Sequence, residues 1–451
     1  MNPQVFREYD IRGIVERDFD DAFVIDLGRA YATALVEAGG RRIVLGRDCR
    51  LTSARLRELF LQGLLESGVD VIDTGVVPTP LLYFAVARWG MDGGVMITGS
   101  HNPPEYNGFK LGIGHATLYG EQIQQLRRII EERAFVKSAT EGSLTEKSVV
   151  PEYREFILQS FRLKPGLRVV LDAGNGCGGA VAAPLMREMG IDLVGLFLDM
   201  DGRFPNHHPD PTVEAYMQDL VNAVISSRAC VGIAYDGDAD RLGAVDERGR
   251  IVWGDELIVL FSRGILKERR GATVIGDVKC SKRMYDDIER NGGRAIMWKT
   301  GHSLIKSKLK EEGAALAGEM SGHMFFADRY YGFDDAIYAS FRLLEIISRE
   351  GKGIASLLSD LPTACVTPEI RVDCPDEQKF QVVQEVAEFF RARHEVIDID
   401  GVRVNFDNGW GLLRASNTQP ALVMRFEGRD PESLASIRAQ FEDKLKELGV
   451  I

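Results

Sequence analysis

Residues 231–241 read Val231-Gly-Ile-Ala-Tyr-Asp-Gly-Asp-Ala-Asp-Arg241, a short apolar run that opens directly into a loop carrying three aspartates. Such a run, bounded by a polar turn, has the form of a buried strand of a parallel sheet, covered by helices on both faces. The same arrangement occurs three times along the chain. Arg42-Ile-Val-Leu-Gly46, Arg168-Val-Val-Leu-Asp172 and Thr273-Val-Ile-Gly-Asp277 each open a unit. A helical stretch and a second strand follow in each, at Val69–Asp73, Ile191–Val194 and Arg294–Met297. Third strands follow at Gly94–Ile97, Val231–Tyr235 and Ala315–Ala317. Strand alternating with helix is the signature of α/β folding.

The loops after the third strands carry the chemistry. They read Thr98-Gly-Ser-His-Asn-Pro-Pro104, Asp236-Gly-Asp-Ala-Asp-Arg241 and Gly318-Glu-Met-Ser-Gly-His323. Ligands of open α/β sheets sit outside the carboxyl ends of the strands, so three loops at equivalent places predict three walls of one cleft. Past Pro362 the pattern changes. Alternating segments at 369–373, 401–405, 411–414 and 421–426, with helical patterns near 377–393 and 431–448, predict a small α+β unit. It offers a fourth polar loop, Arg414-Ala-Ser-Asn-Thr-Gln-Pro420. The expected domains are 1–146, 147–250, 251–362 and 363–451.

Composition narrows the function. A length of 451 residues exceeds what one hydrophobic core supports. Hydrophobic and charged fractions of 45% and 27% are those of an ordinary globular chain. A net charge of −12, from 55 basic and 67 acidic residues, gives no global field for nucleic acid or an anionic membrane. Any anionic ligand must be met by local cations and backbone N–H groups. The six cysteines form no CxxC pair, which predicts neither a zinc site nor a disulfide framework. Residues 1–17 lack the apolar core of a signal peptide and no run of about 18 apolar residues occurs, so a cytoplasmic protein is expected.

Asp236, Asp238 and Asp240 crowd three carboxylates into five residues. Their repulsion is costly without a cation, and oxygen-only ligands favour a hard ion such as Mg²⁺. A calcium loop is the competing reading, because Glu247 falls at its twelfth position, but Arg241 stands at the sixth, where such loops need glycine. Ser100 follows the flexible Gly99 and precedes the stiff Pro103-Pro104. No GxSxG elbow is present, so a Ser-His-Asp hydrolase fits poorly, and Ser100 by itself equally suits a turn or a helix cap. His207 and His208 lack a metal-ligand set in the sequence and are read as structural.

Taken together, TGSHNPPEYNGFK at 98–110, DGDADR at 236–241, GEMSGH at 318–323 and RASNTQP at 414–420 resemble the α-D-phosphohexomutases, most closely their bacterial phosphomannomutase/phosphoglucomutase branch. FREYDIRG at 6–13, VPTP at 77–80, FPNHHPDP at 204–211, DVKC at 277–280 and MWKTGHSLIK at 297–306 extend the likeness over nearly the whole chain. The resemblance implies three topologically similar α/β domains with mixed sheets plus a C-terminal α+β domain around a central active-site cleft. It implies a phosphoserine at Ser100, and Mg²⁺ held by Asp236, Asp238, Asp240 and the Ser100 phosphate. Arg241 would face the phosphate or sugar, and His101 and Lys110 would do acid/base work. Glu319 and Ser321 would hold sugar hydroxyls beside His323. Arg414, Ser416, Asn417 and Thr418 would grip the phosphate that is not reacting, and Tyr9, Arg12, Lys279 and His302 would line the cleft.

The implied reaction moves phosphate between C1 and C6 of mannose and glucose phosphates. Phosphorylated Ser100 donates to the free hydroxyl, the bound hexose 1,6-bisphosphate turns end for end, and its other phosphate returns to Ser100. A mobile fourth domain would let the intermediate turn without escaping. Hexose phosphates are the expected partners, with no nucleic acid or membrane, and the chain is expected to act as a monomer or weak dimer. Two other readings are a metal-dependent sugar-phosphate phosphatase and a phosphoglucosamine mutase of the same family; a sugar-phosphate-binding protein without catalysis is a third. The mutase reading requires Arg12, Lys110, Arg241, Lys279 and Arg414 to converge.

Overall fold

The computed structural model describes residues 2–416 and 420–451. Each of the three apolar units builds its own sheet on one plan. In the second unit the strand Arg168–Asp172 lies between Asp192–Leu196 and Val231–Tyr235, all parallel, and Leu242–Asp246 then runs antiparallel beside Val231–Tyr235. The first unit repeats this with Arg42–Arg47 between Asp70–Val76 and Gly93–Ile97, followed by antiparallel Tyr106–Ile113. In the third, Thr273–Asp277 lies between Arg294–Trp298 and Leu316–Gly318, with Met324–Phe326 antiparallel.

The antiparallel fourth strand has a direct consequence for the site. Each polar loop is the turn between the third strand and the fourth, so it is fixed at both ends by ladder hydrogen bonds at the carboxyl edge of its sheet. The fourth unit is antiparallel throughout, in the order Cys365–Val366, Ala421–Gly428, Gly409–Ala415, Val402–Phe406, Glu395–Ile397, with Ile370–Asp373 also paired to Ala421–Gly428. Two helices, Asp376–Arg391 and Pro431–Glu447, cover it.

The cores divide differently from the sheets. Leu81, Phe84 and Val86 of the first unit, Leu171 and Tyr235 of the second, and Leu257, Phe326 and Tyr338 of the third belong to one continuous buried cluster. A hydroxyl from the second unit, that of Tyr153, donates to the Asp335 carboxylate in the third. The fourth unit has a separate core around Phe390, Phe426 and Phe441. It docks on the third through Trp410, which packs on Val278 and lies 3.7 Å beneath the Arg403 guanidinium. Arg403 itself donates to the carbonyls of Val278 and Cys280 at 2.5 and 2.7 Å. Among the described residues, no helix is long and apolar enough to cross a membrane.

Candidate active site

Ser100 sits in left-handed backbone, φ 49°, at the tip of the first loop. A non-glycine residue holds that conformation only when its surroundings impose it. The imposing group is Arg50, whose side chain is fully buried. Its guanidinium donates to the carbonyls of Ser100 at 2.8 Å, Asn102 at 2.6 Å, Pro103 at 2.5 Å and Tyr106 at 3.0 Å. Asp48 completes the bracket, accepting from Arg50 Nε and from the Gly99 N–H, both at 3.1 Å. Ser100 Oγ is thereby held 2.8 Å from Asp236 Oδ2 and 3.2 Å from His101 Nδ1.

The aspartate loop also turns through positive φ, at Ala239, φ 56°, a place that glycine would occupy without strain. This turn brings one carboxylate oxygen from each of Asp236, Asp238 and Asp240 within 4.8 Å of the others, all fully buried. Lys110, from the antiparallel strand of the first unit, donates to Asp238 Oδ2 at 2.8 Å and to Asp240. Burial, then Asp240 and Asp238, push Asp236 well above the usual carboxylate range. Burial acts the same way on Asp240, but Lys110 and His323 outweigh it and hold that group well below. Asp238 Oδ1 is buried and has no hydrogen-bond partner among the described residues. Hard oxygen donors, mutual repulsion and an orphaned buried oxygen together fit a divalent cation such as Mg²⁺. Glu247 lies elsewhere, accepting from the Ala355 N–H at 3.3 Å, and strands flank the loop, so the calcium-loop reading is excluded.

The third loop joins this cluster through His323. Its Nδ1 lies 2.7 Å from Glu319 Oε2 and its Nε2 3.2 Å from Asp240 Oδ1. Burial disfavours its cation, but the two carboxylates prevail and push it up to about 9. The protonated ring donates from both nitrogens, so Arg241 Nε at 3.3 Å is a packing neighbour of the ring. Glu319 Oε1 accepts from the Gly301 N–H at 2.7 Å, and Ser321 lies half-buried in the same turn. His302 and His101 go the other way. Burial and neighbouring cations, Lys306 for the first and Arg241 and Arg12 for the second, hold both well below the ordinary imidazole value.

The fourth wall is reached by an unbroken series of contacts. Tyr9 Oη donates to the Thr300 carbonyl at 2.8 Å, the Thr300 N–H donates to Asp400 Oδ2 at 3.0 Å, and Arg414 Nε donates to that same oxygen at 3.0 Å. Ser416 is positioned by Lys379, whose Nζ donates to its carbonyl at 2.5 Å. Asn417 and Thr418 lie outside the described residues. The cations expected to meet phosphate are already paired with carboxylates: Arg12 with Asp10 at 2.5 Å, Lys279 with Glu369 at 3.2 Å and Arg414 with Asp400 at 3.0 Å. Arg241 lies 3.9 Å from Asp210.

Of the residues singled out from the sequence, Ser100, His101, Lys110, Asp236, Asp238, Asp240, Arg241, Glu319 and His323 form one set of direct contacts, and Tyr9 and Arg414 are linked through Thr300 and Asp400. His207 meets one carboxylate, Asp172, at 3.0 Å and stacks on Tyr216, which is a structural role. Sequence reasoning missed Arg50, Asp48, Thr79 (Oγ1 2.5 Å from Asp238 Oδ2), Asp400 and Glu369. For Thr79 a signal existed, since it belongs to the VPTP segment already noted.

Comparison with known proteins agrees with this architecture. The chain matches the four models of phosphoglucomutase/phosphomannomutase in order: alpha/beta/alpha domain I over residues 3–137, domain II over 151–249, domain III over 253–365 and the C-terminal domain over 369–444. A phosphoglucomutase of Neisseria meningitidis is 46% identical over 441 residues, covering 97% of this chain and 96% of that protein. A phosphomannomutase/phosphoglucomutase of Pseudomonas aeruginosa is 42% identical, covering 98% and 95%. The crystal structure of a phosphoglucomutase/phosphomannomutase family protein from Burkholderia thailandensis superimposes with a TM-score of 0.92 at 42% identity, covering 99% and 98%. With its four sheets, its ordered domain matches and this identity along nearly its whole length, the chain belongs to the phosphoglucomutase/phosphomannomutase family.

Proposed function

We propose that this enzyme is a phosphohexomutase that interconverts the 1- and 6-phosphates of glucose and mannose through a phosphoserine at Ser100 and a bound hexose 1,6-bisphosphate. The observation that carries the reading is Ser100 Oγ, 2.8 Å from Asp236 at the edge of a buried three-carboxylate cluster, with Lys110 of the first unit and His323 of the third bonded to that cluster. Phosphoryl transfer needs little covalent chemistry from the protein beyond positioning and stabilisation of charge.

Asp236, Asp238 and Asp240, with the Ser100 phosphate, would hold Mg²⁺. When bound, Mg²⁺ neutralises charge that develops on the transferring phosphoryl group. Lys110, expected from the sequence to share acid/base work with His101, is instead assigned here as a fixed charge, its cation stabilised by Asp238 and Asp240 against burial. His101, kept neutral and 3.2 Å from Ser100 Oγ, is placed to accept the proton of the attacking sugar hydroxyl at a ring nitrogen. Protonated His323 fixes the Glu319 carboxylate, which with Ser321 accepts from sugar hydroxyls. Tyr9, Arg12, Lys279 and His302 line the path, and Arg414 with the loop that follows it grips the distal phosphate.

The proposal assigns the phosphoserine, metal, sugar and phosphate loops to domains 1–146, 147–250, 251–362 and 363–451 respectively. It further reads the enzyme as cytoplasmic and acting as a monomer or weak dimer. Incubation with glucose 1-phosphate, Mg²⁺ and a trace of glucose 1,6-bisphosphate tests it. Glucose 6-phosphate is expected; release of inorganic phosphate instead would make the enzyme a phosphatase. Relative rates on mannose, glucose and glucosamine 1-phosphates assign the sugar.

A further inference from the structure

His302 opens the helix His302–Glu312 directly after Gly301, whose N–H is held 2.7 Å from the Glu319 carboxylate. Its ring therefore stands beside the sugar loop, with its centroid 5.8 Å from that of His323 and 6.1 Å from that of Tyr9. Nδ1 is buried and has no hydrogen-bond partner among the described residues, which leaves Nε2 as the nitrogen able to meet a ligand. One carboxylate oxygen faces Nδ1. It is Asp334 Oδ2, 3.8 Å away, equally buried and equally unpartnered. The gap exceeds a hydrogen bond by roughly 0.6–1 Å. In active sites such bonds are often long until substrate tightens them.

Asp334 is built to hold still. Its backbone bridges to Phe325 of the strand Met324–Phe326, the next residue caps the helix Ala336–Glu350, and its own side chain is fully buried. Lys306 follows His302 by four residues on one helix face and donates to the other carboxylate oxygen, Oδ1, at 3.1 Å. The Lys306 ammonium also lies 4.3 Å over the Tyr83 ring, which limits where it can go. With Oδ1 engaged by Lys306, Oδ2 is left for His302.

We propose that Asp334 is the positioning residue of His302, fixing the ring as the Nδ1–H tautomer so that Nε2 presents its lone pair to a hexose hydroxyl. The inference rests on the phosphohexomutase reading, in which His302 lines the path of the sugar. Burial, and then Lys306, hold His302 well below the ordinary imidazole value, so the ring is neutral and carries a single N–H. On Nδ1 that N–H points at Oδ2. On Nε2 it would leave two lone-pair atoms facing each other across 3.8 Å. The carboxylate therefore decides which ring nitrogen is the acceptor. Lys306 makes the choice one-way: in Asp334→Asn the amide oxygen goes to the ammonium and the amide NH2 to His302, which moves the ring proton to Nε2.

Asp334 also comes within 4.8 Å of Asp240 and His323, so a change of rate alone does not identify its role, whereas the His302 nitrogens do. The test uses the full-length enzyme carrying isotope-labelled histidine, with the tautomer of each neutral ring read from its two nitrogen shifts in long-range proton–nitrogen spectra. The His302 signals are those lost in His302→Asn. The expected result is Nδ1–H in the wild type and Nε2–H in Asp334→Asn, with KM for glucose 1-phosphate raised about 10-fold and kcat changed by less than about threefold. Saturating glucose 1-phosphate is expected to shift the wild-type Nε2 resonance upfield, as acceptance of a hydrogen bond does, and to leave Nδ1–H in place. Nε2–H in the wild type overturns the proposal whether or not the variant folds, and so does Nδ1–H retained in Asp334→Asn. A switched tautomer with unchanged KM and kcat, or an Nε2 resonance that ignores the sugar phosphate, overturns the hydroxyl contact. The tautomer is read without turnover, so its failure is distinguishable from failure of the mutase assignment, which the appearance of glucose 6-phosphate decides.

Discussion

Replacing Arg50 by Met removes a buried cation whose partners are almost all backbone. Four carbonyls lose their donor, and each stranded buried acceptor costs about 1–3 kcal/mol if nothing moves. Asp48 is left as a buried charge without its counter-ion, at a further cost of about 3–5 kcal/mol. The sum, about 7–17 kcal/mol, is as large as the ~5–15 kcal/mol that holds an ordinary domain together. Relaxation of the serine loop is the cheaper outcome, because Asn102 to Tyr106 can turn their carbonyls to water at the cleft. Ser100 then leaves its position 2.8 Å from Asp236, and a shift of about 1 Å lowers the rate by ~100-fold or more. The expected signature of Arg50→Met is a fall in kcat of at least ~100-fold, with KM for glucose 1-phosphate changed by less than about threefold. Arg50→Lys, which keeps the charge but offers fewer donors in a looser geometry, should fall between. Steady-state kinetics and calorimetry on the same samples decide the matter. A variant with wild-type kcat and only a lowered Tm would refute the idea that Arg50 acts by placing Ser100.

Other outcomes follow from neighbouring features. Chelation should abolish activity and Mg²⁺ restore it, while Asp238→Asn should weaken Mg²⁺ activation by at least roughly 100-fold, measured by titration of the rate. Arg414→Ala should raise KM for hexose phosphate by about 10- to 100-fold, the loss of about 1.5–3 kcal/mol from a charged hydrogen bond, with a smaller effect on kcat in initial-rate measurements. Asp335 caps the helix Ala336–Glu350 and accepts from Tyr153, Tyr330 and the Tyr338 N–H, yet burial pushes it up to about 6. The native state therefore holds its proton more tightly than the unfolded chain. The stability this contributes is full below about 4 and is lost as pH rises through about 6. The Tm of the wild type relative to Asp335→Asn should fall across that window, and a flat difference would contradict the assignment.

The parts of the site legible in the sequence are those whose chemistry resides in clustered side chains. Three aspartates in five residues after a buried strand point to a cation from the sequence alone, whereas Ser100 by itself suited a turn or cap equally and drew meaning only from the motifs around it. Arg50 was illegible because backbone carbonyls leave no trace in residue identity, and its spacing to Ser100 is set by a sheet crossover. Asp400 and Glu369 were illegible for a related reason: single carboxylates acquire meaning only once Arg414 and Lys279 are brought to them. Short apolar runs marked three strands per unit but not the antiparallel fourth, because Tyr106–Ile113 carries Lys110 and Asn107 among its buried positions. The shared core of the first three domains left no sequence signal either, since a helix that serves two cores looks like one that serves its own.

The carboxylates already seated on Arg12, Lys279 and Arg414 make binding an exchange of partners. A monoanion entering the cleft must displace Asp10, Glu369 or Asp400, each of which is tethered and carries the same charge, so it gains little. A phosphate dianion offers twice the charge and more acceptor oxygens to each cation it takes. On the proposed assignment of Arg12, Lys279 and Arg414 to phosphate, discrimination between phosphorylated sugars and smaller monoanions would be set by competition inside the protein.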